Sequence, residues 1–377
     1  MRLKLAKTFI ILVVSVVLLN SCPQVFSANY NATYELLDHF GGTVHYKLNV
    51  VVSESLYEYY TQKSHRLISD SDFAKFVTPF ALKPIADSLR EVYTDDEGFA
   101  NGALMIVHQI SYEETEPSKY PVETIVENVG DCDLFSFIAA SIMTAGGLDI
   151  VFFYYEAEAH MNIGVSLQHD PHDARGEVDY VENAGVRFYV AECTGGNWQN
   201  GWRVGECPDN LKGASLRVIS VEDPEESAPG QVSASCDILE TSRMSLDVSF
   251  PYLVQGTSVT ISGQLSPALQ NKTVTIYVKV NSSPWTVLGT IATDARGGFK
   301  HVWSPSLSGI CNIRASWSGD NDYAPADSPT LTLTVLSLFF VLLVCITVVL
   351  TIAGVVVFLI SRSYQEMPEH QSPETLS

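Results

Sequence analysis

Basic residues are scarce in this chain of 377 residues. It contains 22 lysines and arginines against 43 aspartates and glutamates, which gives a formal net charge of −21 at pH 7. Binding to a phosphate backbone requires a surplus of positive charge, so the composition argues against a nucleic-acid partner. Charged residues of all kinds make up 17% of the chain and apolar residues 46%. That balance is too apolar for a largely disordered protein and is typical of a globular protein with a membrane span.

A set of metal ligands is also lacking. The densest group of candidates is His169-Asp170-Pro171-His172-Asp173, inside the polar stretch 168–184, which we expect to be a surface loop. Metal sites need several ligands that converge on one point, and the sequence offers no second group to complete this one. We therefore expect no metal and no other cofactor. A metal bound by this histidine pair is the alternative interpretation.

Charge is missing altogether from residues 336–360. At a rise of about 1.5 Å per residue, this run is long enough for the ~30 Å hydrocarbon core of a bilayer. Backbone polar groups in lipid must pair internally, so we expect a transmembrane helix. Residues 361–377 would then form a short cytoplasmic tail.

The N-terminus has the pattern of an export signal. Basic residues near its start precede the apolar run 9–19, which is too short to span a bilayer comfortably. We expect a signal peptide over residues 1–27, cleaved before Ala28. A lipobox-like sequence that ends in Cys22 allows a second interpretation, in which Cys22 is lipidated. Three glycosylation sequons agree with an exterior location: Asn31, Asn271 and Asn281.

The seven cysteines constrain the exterior part of the chain. One precedes the expected cleavage site and one lies in the membrane helix, so five remain outside. Thiols pair in an oxidising compartment, and an odd number leaves one of them over. The sequence does not fix the connectivity. The simplest arrangement has two bridges and one free thiol: Cys193–Cys207, Cys236–Cys311 and Cys132.

Hydrophobic periodicity divides the exterior part into two domains. Residues 28–220 mix helical and alternating patterns and predict an α+β domain. The acidic stretch 221–234 is typical of a linker. Residues 235–335 contain seven short alternating runs and predict an all-β immunoglobulin-like sandwich, for which we expect the role of a spacer. In the first domain we expect strands at 43–52, 149–155, 161–167 and 187–192, helices at 56–63, 84–93, 99–110 and 132–145, and an extended loop from Tyr120-Pro121.

One cysteine has the surroundings of a nucleophile. Gly130 and Asp131 precede Cys132, and an apolar helical stretch follows. Asp131 is a natural N-cap, so Cys132 falls in the first turn of that helix. The free N–H groups and the positive dipole end there favour a thiolate, the nucleophile that amide chemistry requires. An inert buried thiol is the alternative.

A histidine and an acid follow in suitable places. His160 begins a strand 28 residues after Cys132, and a helix followed by a strand returns the chain to the N-terminal end of the helix. The imidazole would take the thiol proton and later protonate the leaving amine. Glu192 ends the next strand and would hold the imidazole in one tautomer. An edge histidine and a surface carboxylate are the alternatives.

Five segments, in this order, resemble the transglutaminase-like superfamily, in particular its archaeal cell-surface branch: Tyr120–Thr124, Gly130–Asp133, His160–Val165, Glu192–Thr194 and Trp202–Glu206. The resemblance covers about residues 40 to 220. It implies a papain-like cysteine-protease fold with Cys132, His160 and Glu192 as the catalytic triad. Many members have Asp in the third place, and similar members have Glu-Asp after the cysteine, where Asp133 and Leu134 stand here. The second domain resembles prokaryotic Ig-like repeats around Ala315–Asp320 and Tyr323.

These features together predict a cysteine hydrolase, anchored in the cell membrane, that acts on protein or peptide amides outside the cell. Water as acceptor of the Cys132 thioester gives a peptidase or amidase, and a lysine amine gives a crosslinking transglutaminase. We favour hydrolysis, because it needs no acceptor site. The alternative is a non-catalytic surface module that binds peptide or an envelope polymer, with the Ig-like domain as a stalk. The sequence leaves the substrate and the oligomeric state open.

Overall fold

The protein has a mixed α+β structure with many strands and one long C-terminal helix. The computed structural model describes residues 28–39 and 42–365, so the expected signal peptide, Cys22 and most of the expected tail lie outside the described residues. The helices are α1 (Glu54–Thr61), α2 (Pro79–Val92), α3 (Asp96–Val107), α4 (Pro121–Glu127), α5 (Cys132–Ala145) and α6 (Leu338–Gln365), with a 3₁₀ helix at Asp70–Phe76.

Nineteen strands are formed by the described residues. Those of the first part are β1 (Tyr30–Leu37), β2 (His45–Val52), β3 (Ser111–Tyr112), β4 (Val129–Gly130), β5 (Ile150–Tyr155), β6 (His160–Val165), β7 (Tyr180–Asn183), β8 (Val186–Ala191), β9 (Arg217–Ser220) and β10 (Ser233–Ser235). Those of the second part are β11 (Arg243–Val248), β12 (Tyr252–Val254), β13 (Val259–Ser266), β14 (Thr273–Val280), β15 (Thr286–Ala292), β16 (Gly298–Trp303), β17 (Gly309–Trp317), β18 (Ala326–Asp327) and β19 (Leu331–Leu336).

A five-stranded antiparallel sheet in the order β7-β8-β6-β5-β9 carries the first part. Helix α5 packs on one face, where the ring of Phe137 meets Phe152 edge-on at 5.7 Å between centroids. Residues from Leu134 to Met143 are all buried, as expected for a helix that is apolar on every side. Strand β5 returns along the helix, and a tight connection pairs Tyr155 with His160 at the start of β6. That return places the first residue of β6 near the first residue of α5.

A smaller sheet in the order β1-β2-β10 lies beside α2 and α3. Strand β10 pairs with β2, since Ser233 lies opposite Val51. The sequence pattern did not predict this strand, which begins inside the expected linker 221–234, so the last two residues of that linker belong to the sheet. Among the described residues, strand β1 pairs with β2 alone, so β1 is an edge strand of this sheet.

The second part consists of two packed sheets. A three-stranded sheet (β11-β13-β16) faces a larger one built on β12-β19-β17-β14-β15, and their inner residues form one apolar core. The seven strands that the sequence predicts are all present, with shifts of one or two residues at their ends. Arg314 on β17 has a side chain only 4% exposed and forms ion pairs with Glu54 and Glu58 of α1. Asp327 also accepts the N–H of Ser55 at 2.8 Å, so the sandwich is bound to α1 by polar contacts.

Helix α5 is confirmed residue by residue, and the other helices of the first part are confirmed within a few residues. The extended loop expected from Tyr120 is wrong, because α4 begins at Pro121. Tyr120 itself is extended, with φ −74° and ψ 151°, as the residue before a proline should be. Proline suits the first helical position, where its missing N–H has no partner to lose.

Both expected disulfides are wrong, because all described cysteines are free. Cys193 belongs to the core under α5, whereas Cys207 belongs to the small core on the opposite face of the five-stranded sheet. Cys236 packs against the core of the first part, and Cys311 is buried inside the sandwich. The parity argument for Cys132 therefore carries no weight, although its thiol is free.

The terminal helix α6 is long and apolar enough to cross a membrane over Leu338–Arg362, by length and composition. It begins two residues beyond the expected start. Strand β19 ends at Leu336, so only Ser337 separates it from the helix. Ser337 caps the helix, since its hydroxyl accepts the N–H of Phe340 at 3.1 Å.

We predict that Gly164→Ala destabilises the protein by about 1–3 kcal/mol, because overpacking a core forces its neighbours to move. A Cβ at Gly164 would lie 2.3 Å from the Phe153 ring and 2.9 Å from the Phe188 Cβ. Gly176→Ala is the matched control, since a Cβ there meets nothing within 4 Å. Urea unfolding followed by tryptophan fluorescence measures both variants. Equal midpoints would show that β6 packs more loosely than described.

Candidate active site

Cys132 is the first residue of α5, and its free thiol is partly buried. Asp131 occupies the N-cap position with extended backbone angles, as expected, but its side chain makes no capping hydrogen bond. Its Oδ2 instead accepts the N–H of Thr115 at 2.9 Å, which ties the preceding loop to the start of the helix. The first N–H groups of α5 are therefore left without this cap.

His160 connects the other two predicted residues. Its ring lies beside Cys132, and the two residues line the same cleft. Its Nε2 lies 3.0 Å from Oε2 of Glu192. The three residues lie at the start of α5, at the start of β6 and directly after β8. The structure thus brings together all three side chains that the sequence singled out.

Glu192 is fully buried, with no exposed surface, and its carboxylate has four donors. Besides His160, the Asn162 side chain donates to Oε2 at 3.0 Å. The N–H and the hydroxyl of Thr194 donate to Oε1 at 2.8 and 2.6 Å. Burial alone would raise the pKa of Glu192, but the bonds from His160, Asn162 and Thr194 outweigh it and lower the pKa. The acid is therefore ionised and held in place.

The charge state of His160 follows from its two neighbours. Burial favours the neutral imidazole and lowers the pKa, yet the hydrogen bonds with Cys132 and Glu192 dominate and raise it to about 10. His160 is then an imidazolium at neutral pH. A positive charge beside a sulfur stabilises a thiolate, so the pair is suited to nucleophilic attack.

Asn162 and Thr194 were not assigned a role from the sequence. Asn162 follows His160 by two residues on β6, so their side chains leave the strand on the same side. Thr194 comes two residues after Glu192 and wraps the carboxylate locally. The period of the strand was a usable signal for Asn162, since His160 and Asn162 share a face.

His108 supports the acid from behind. It is 2% exposed, and its Nε2 lies 3.0 Å from the main-chain oxygen of Glu192, to which it donates. Burial lowers the pKa of His108, so the ring is neutral. The ring is closely packed, because a Cβ at Gly201 would lie 2.4 Å from Nδ1. No local sequence pattern pointed to His108, which is 84 residues from Glu192.

Two carboxyl groups flank the nucleophile. Burial and a hydrogen bond with Asp131 raise the pKa of Asp133 to about 8, and the Asp131 charge adds to the effect. Ser118 donates to Asp133 Oδ2 at 2.9 Å. Asp133 is therefore largely protonated at neutral pH, because adjacent carboxylates resist double ionisation. Asp133, which follows Cys132, thus interacts with Asp131, which precedes it.

Two cavities near Cys132 have Tyr112 in common in their linings. A cleft of about 690 Å³ contains Cys132 and His160, and its wall carries four carboxyl groups and no lysine or arginine among the described residues. The four are Glu114, Glu116, Asp131 and Asp133. A second cavity of about 710 Å³ has no carboxylate, lysine or arginine among its described lining residues. Tyr112 borders both, and burial together with the nearby Cys132 sulfur raises the pKa of its hydroxyl.

The alternative metal site at His169 finds no support. The described residues contain no group of three or more side chains arranged to hold a metal ion. The rings of His169 and His172 stack at 4.7 Å, while Asp170 binds the Tyr189 hydroxyl and Asp173 accepts from Asn101. The carboxylates are thus committed to neighbouring side chains.

Comparison with known proteins assigns no family. No family description matches the sequence, and no curated protein matches it significantly. Red sea bream transglutaminase aligns with 81% of this chain and 62% of its own, at 10% identity and a TM-score of 0.21. The D0–D1 domain of intimin aligns with 46% of this chain and 89% of its own, at 13% identity and 0.20. A chitin-binding domain from Burkholderia pseudomallei aligns with 22% of this chain, at 16% identity and 0.19, and the chain spans 56% of that domain. Scores this low carry no argument about fold or function.

We predict that iodoacetamide labels Cys132 faster in the wild type than in His160→Ala at any pH below about 10, because the imidazolium of His160 beside the sulfur persists up to its pKa of about 10. In His160→Ala the rate should rise steeply with pH, as for an ordinary thiol that titrates near pH 8.5. At pH 6 the variant should therefore be at least about tenfold slower. Mass spectrometry of the labelled peptide measures both rates. A wild-type rate no faster than that of the variant would refute the ion pair.

Proposed function

We propose that this protein is a membrane-anchored cysteine hydrolase that cleaves protein or peptide amides outside the cell through a thioester at Cys132. The observation that carries the proposal is the position of His160, which lies beside Cys132 in one cleft and has its Nε2 3.0 Å from the buried Glu192 carboxylate. A transglutaminase-like domain of papain-like fold, with an Ig-like stalk, agrees with the order of these residues and with the two-sheet second part. A single-pass anchor with the catalytic part outside agrees with α6.

The first half of the reaction forms the thioester. The Cys132 sulfur attacks the amide carbon, and the carbonyl electrons move to oxygen. The unpaired N–H groups at the start of α5 stabilise that negative oxygen, because they point along the positive end of the helix dipole. The tetrahedral species then expels the amine, which takes the proton of the His160 imidazolium as the carbon–nitrogen bond breaks.

The second half returns the site to its starting state. His160, now neutral, accepts a proton from water while the water oxygen attacks the thioester carbon. The carbon–sulfur electrons return to Cys132, the acid is released, and the ion pair is restored. Glu192 keeps Nε2 of His160 oriented through both transfers, so the other ring nitrogen faces the sulfur. An amine in place of water would give crosslinking by the same steps.

We predict that Cys132→Ser abolishes turnover and that Cys193→Ser does not. Both thiols are free, but burial raises the pKa of Cys193 and keeps it protonated and unreactive. A panel of peptides and casein, assayed with and without an added primary amine, measures hydrolysis and transfer separately. Equal loss in both variants would indicate general misfolding. Binding without turnover in the wild-type chain would favour the non-catalytic surface module.

We also predict that peptides with Lys or Arg near the scissile bond are preferred over matched peptides with Glu. The cleft beside Cys132 carries carboxyl groups and no lysine or arginine among its described lining residues. Exposed charge pairs contribute about 0.2–1 kcal/mol, so we expect kcat/KM to differ by roughly 1.4-fold to fivefold per charge. The preference should weaken at high salt, where charges are screened. A preference that ignores ionic strength would contradict an electrostatic origin.

A further inference from the structure

The free edge of strand β1 borders the uncharged cavity next to the catalytic cleft. Residues 31–34 of this strand line the cavity, together with Tyr112 and Trp198 among others. An unpaired strand edge presents main-chain N–H and C=O groups in a row, which is a template for another extended chain. The direction of these groups decides whether they are available.

The neighbouring side chain of Gln109 shows which way they point. Its Oε1 accepts the N–H of Glu35 at 2.8 Å, and its Nε2 donates to the Glu35 oxygen at 2.8 Å. The main chain of Glu35 therefore faces away from β2. Main-chain groups alternate in direction along a strand, and the register with β2 has no irregularity, so Thr33 and Asn31 face the same way. Gln109 satisfies Glu35, and the next two positions of the edge lie in the cavity lining.

A second main-chain edge continues toward the nucleophile. The N–H of Ser111 donates to Asn128 and that of Glu113 donates to Gly130. Tyr112, between them, therefore turns its own N–H and C=O to the side opposite β4. Tyr112 is in the lining of both cavities, so its outward main-chain groups lie between the Cys132 cleft and the cavity beside β1.

The residues that line the cavity beside β1 determine which peptide side chains it can accept. Its described residues include no Asp, Glu, Lys or Arg, and its histidine, His108, is held neutral by burial. The Tyr34 hydroxyl and Nδ1 of His108 belong to lining residues that are each 2% exposed, and neither atom has a hydrogen-bond partner in the structure. Such a surface favours neutral polar and small apolar side chains over charged ones.

We propose that the cavity holds an extended, uncharged segment of the peptide substrate, which adds to β1 as a strand through the main chain of Asn31 and Thr33. The segment as substrate rests on the proposed hydrolase, whereas its binding does not. In this arrangement the acidic cleft and the neutral cavity receive successive parts of one chain. Every second amide of the segment pairs with β1, because strand pairing has a period of two.

The test uses the full chain with Cys132→Ala in detergent, produced in a host that does not glycosylate Asn31. The probe is a fluorescent, non-repeating peptide of Ala, Ser, Thr and Gln, about twelve residues long and so about 40 Å when extended. A set of variants carries one N-methyl amide each. Fluorescence anisotropy should show weaker binding at alternate positions, by about threefold to tenfold for one lost hydrogen bond. Equal sensitivity at neighbouring positions, or none, would overturn the proposal.

A matched pair of protein variants tests the same edge from the other side. Thr33→Pro removes the main-chain N–H, and proline is tolerated on an edge strand. Thr33→Ala keeps that N–H and removes only the hydroxyl, which donates to Asn49. Thr33→Pro should bind the peptide about threefold to tenfold more weakly than Thr33→Ala. Equal affinities in two folded variants would refute pairing with β1. If Thr33→Pro does not fold, the N-methyl peptide series alone is the test.

The two proposals can fail separately. If N-methylation weakens peptide binding at alternate positions but the wild-type protein cleaves no peptide, strand addition is supported and the proposed hydrolase is refuted. Turnover of peptides without an alternating pattern would leave the hydrolase standing and remove strand addition.

Discussion

A single buried negative charge organises the candidate site. A carboxylate without solvent contact is costly unless hydrogen bonds replace its water, and Glu192 obtains four of them from three residues. Each donor belongs to a defined piece of structure: His160 and Asn162 to β6, and Thr194 to the chain after β8. Moving any of these pieces would leave the charge unsatisfied. The geometry of the imidazole is thus a consequence of where the acid is buried.

The same interaction explains the reactivity proposed for the sulfur. A buried ion pair contributes little net stability, because desolvation offsets much of the attraction. What it supplies is orientation and charge: one ring nitrogen is fixed on Glu192, and the other is left for Cys132. The neutral His108 beneath Glu192 fits this arrangement, since a second positive charge there would compete for the carboxylate.

Cys132, His160 and Glu192 could be singled out from the sequence because the residues next to each of them form a recognisable pattern. Cys132 follows a glycine and a capping residue at the start of an apolar helix, and His160 and Glu192 lie at the ends of alternating strands. His108 has no such signature, since its partner is distant along the chain. The disulfides failed for the same reason, because thiol parity says nothing about which face of a sheet each cysteine occupies. Apolar and polar residues alternate in strand β1, but the proposed peptide binding depends on its position at the edge of the sheet, which only the strand order shows.

The short junction at Ser337 limits how the protein reaches its surroundings. With α6 in a bilayer, the sandwich has no flexible tether, since β19 and the helix are separated by one residue that caps the helix. Arg314 in turn fixes the sandwich to α1 of the first part. The cleft is then carried at a set height and sweeps only a narrow zone above the lipid. Chains held close to that lipid surface would then meet the cleft more often than freely diffusing proteins do.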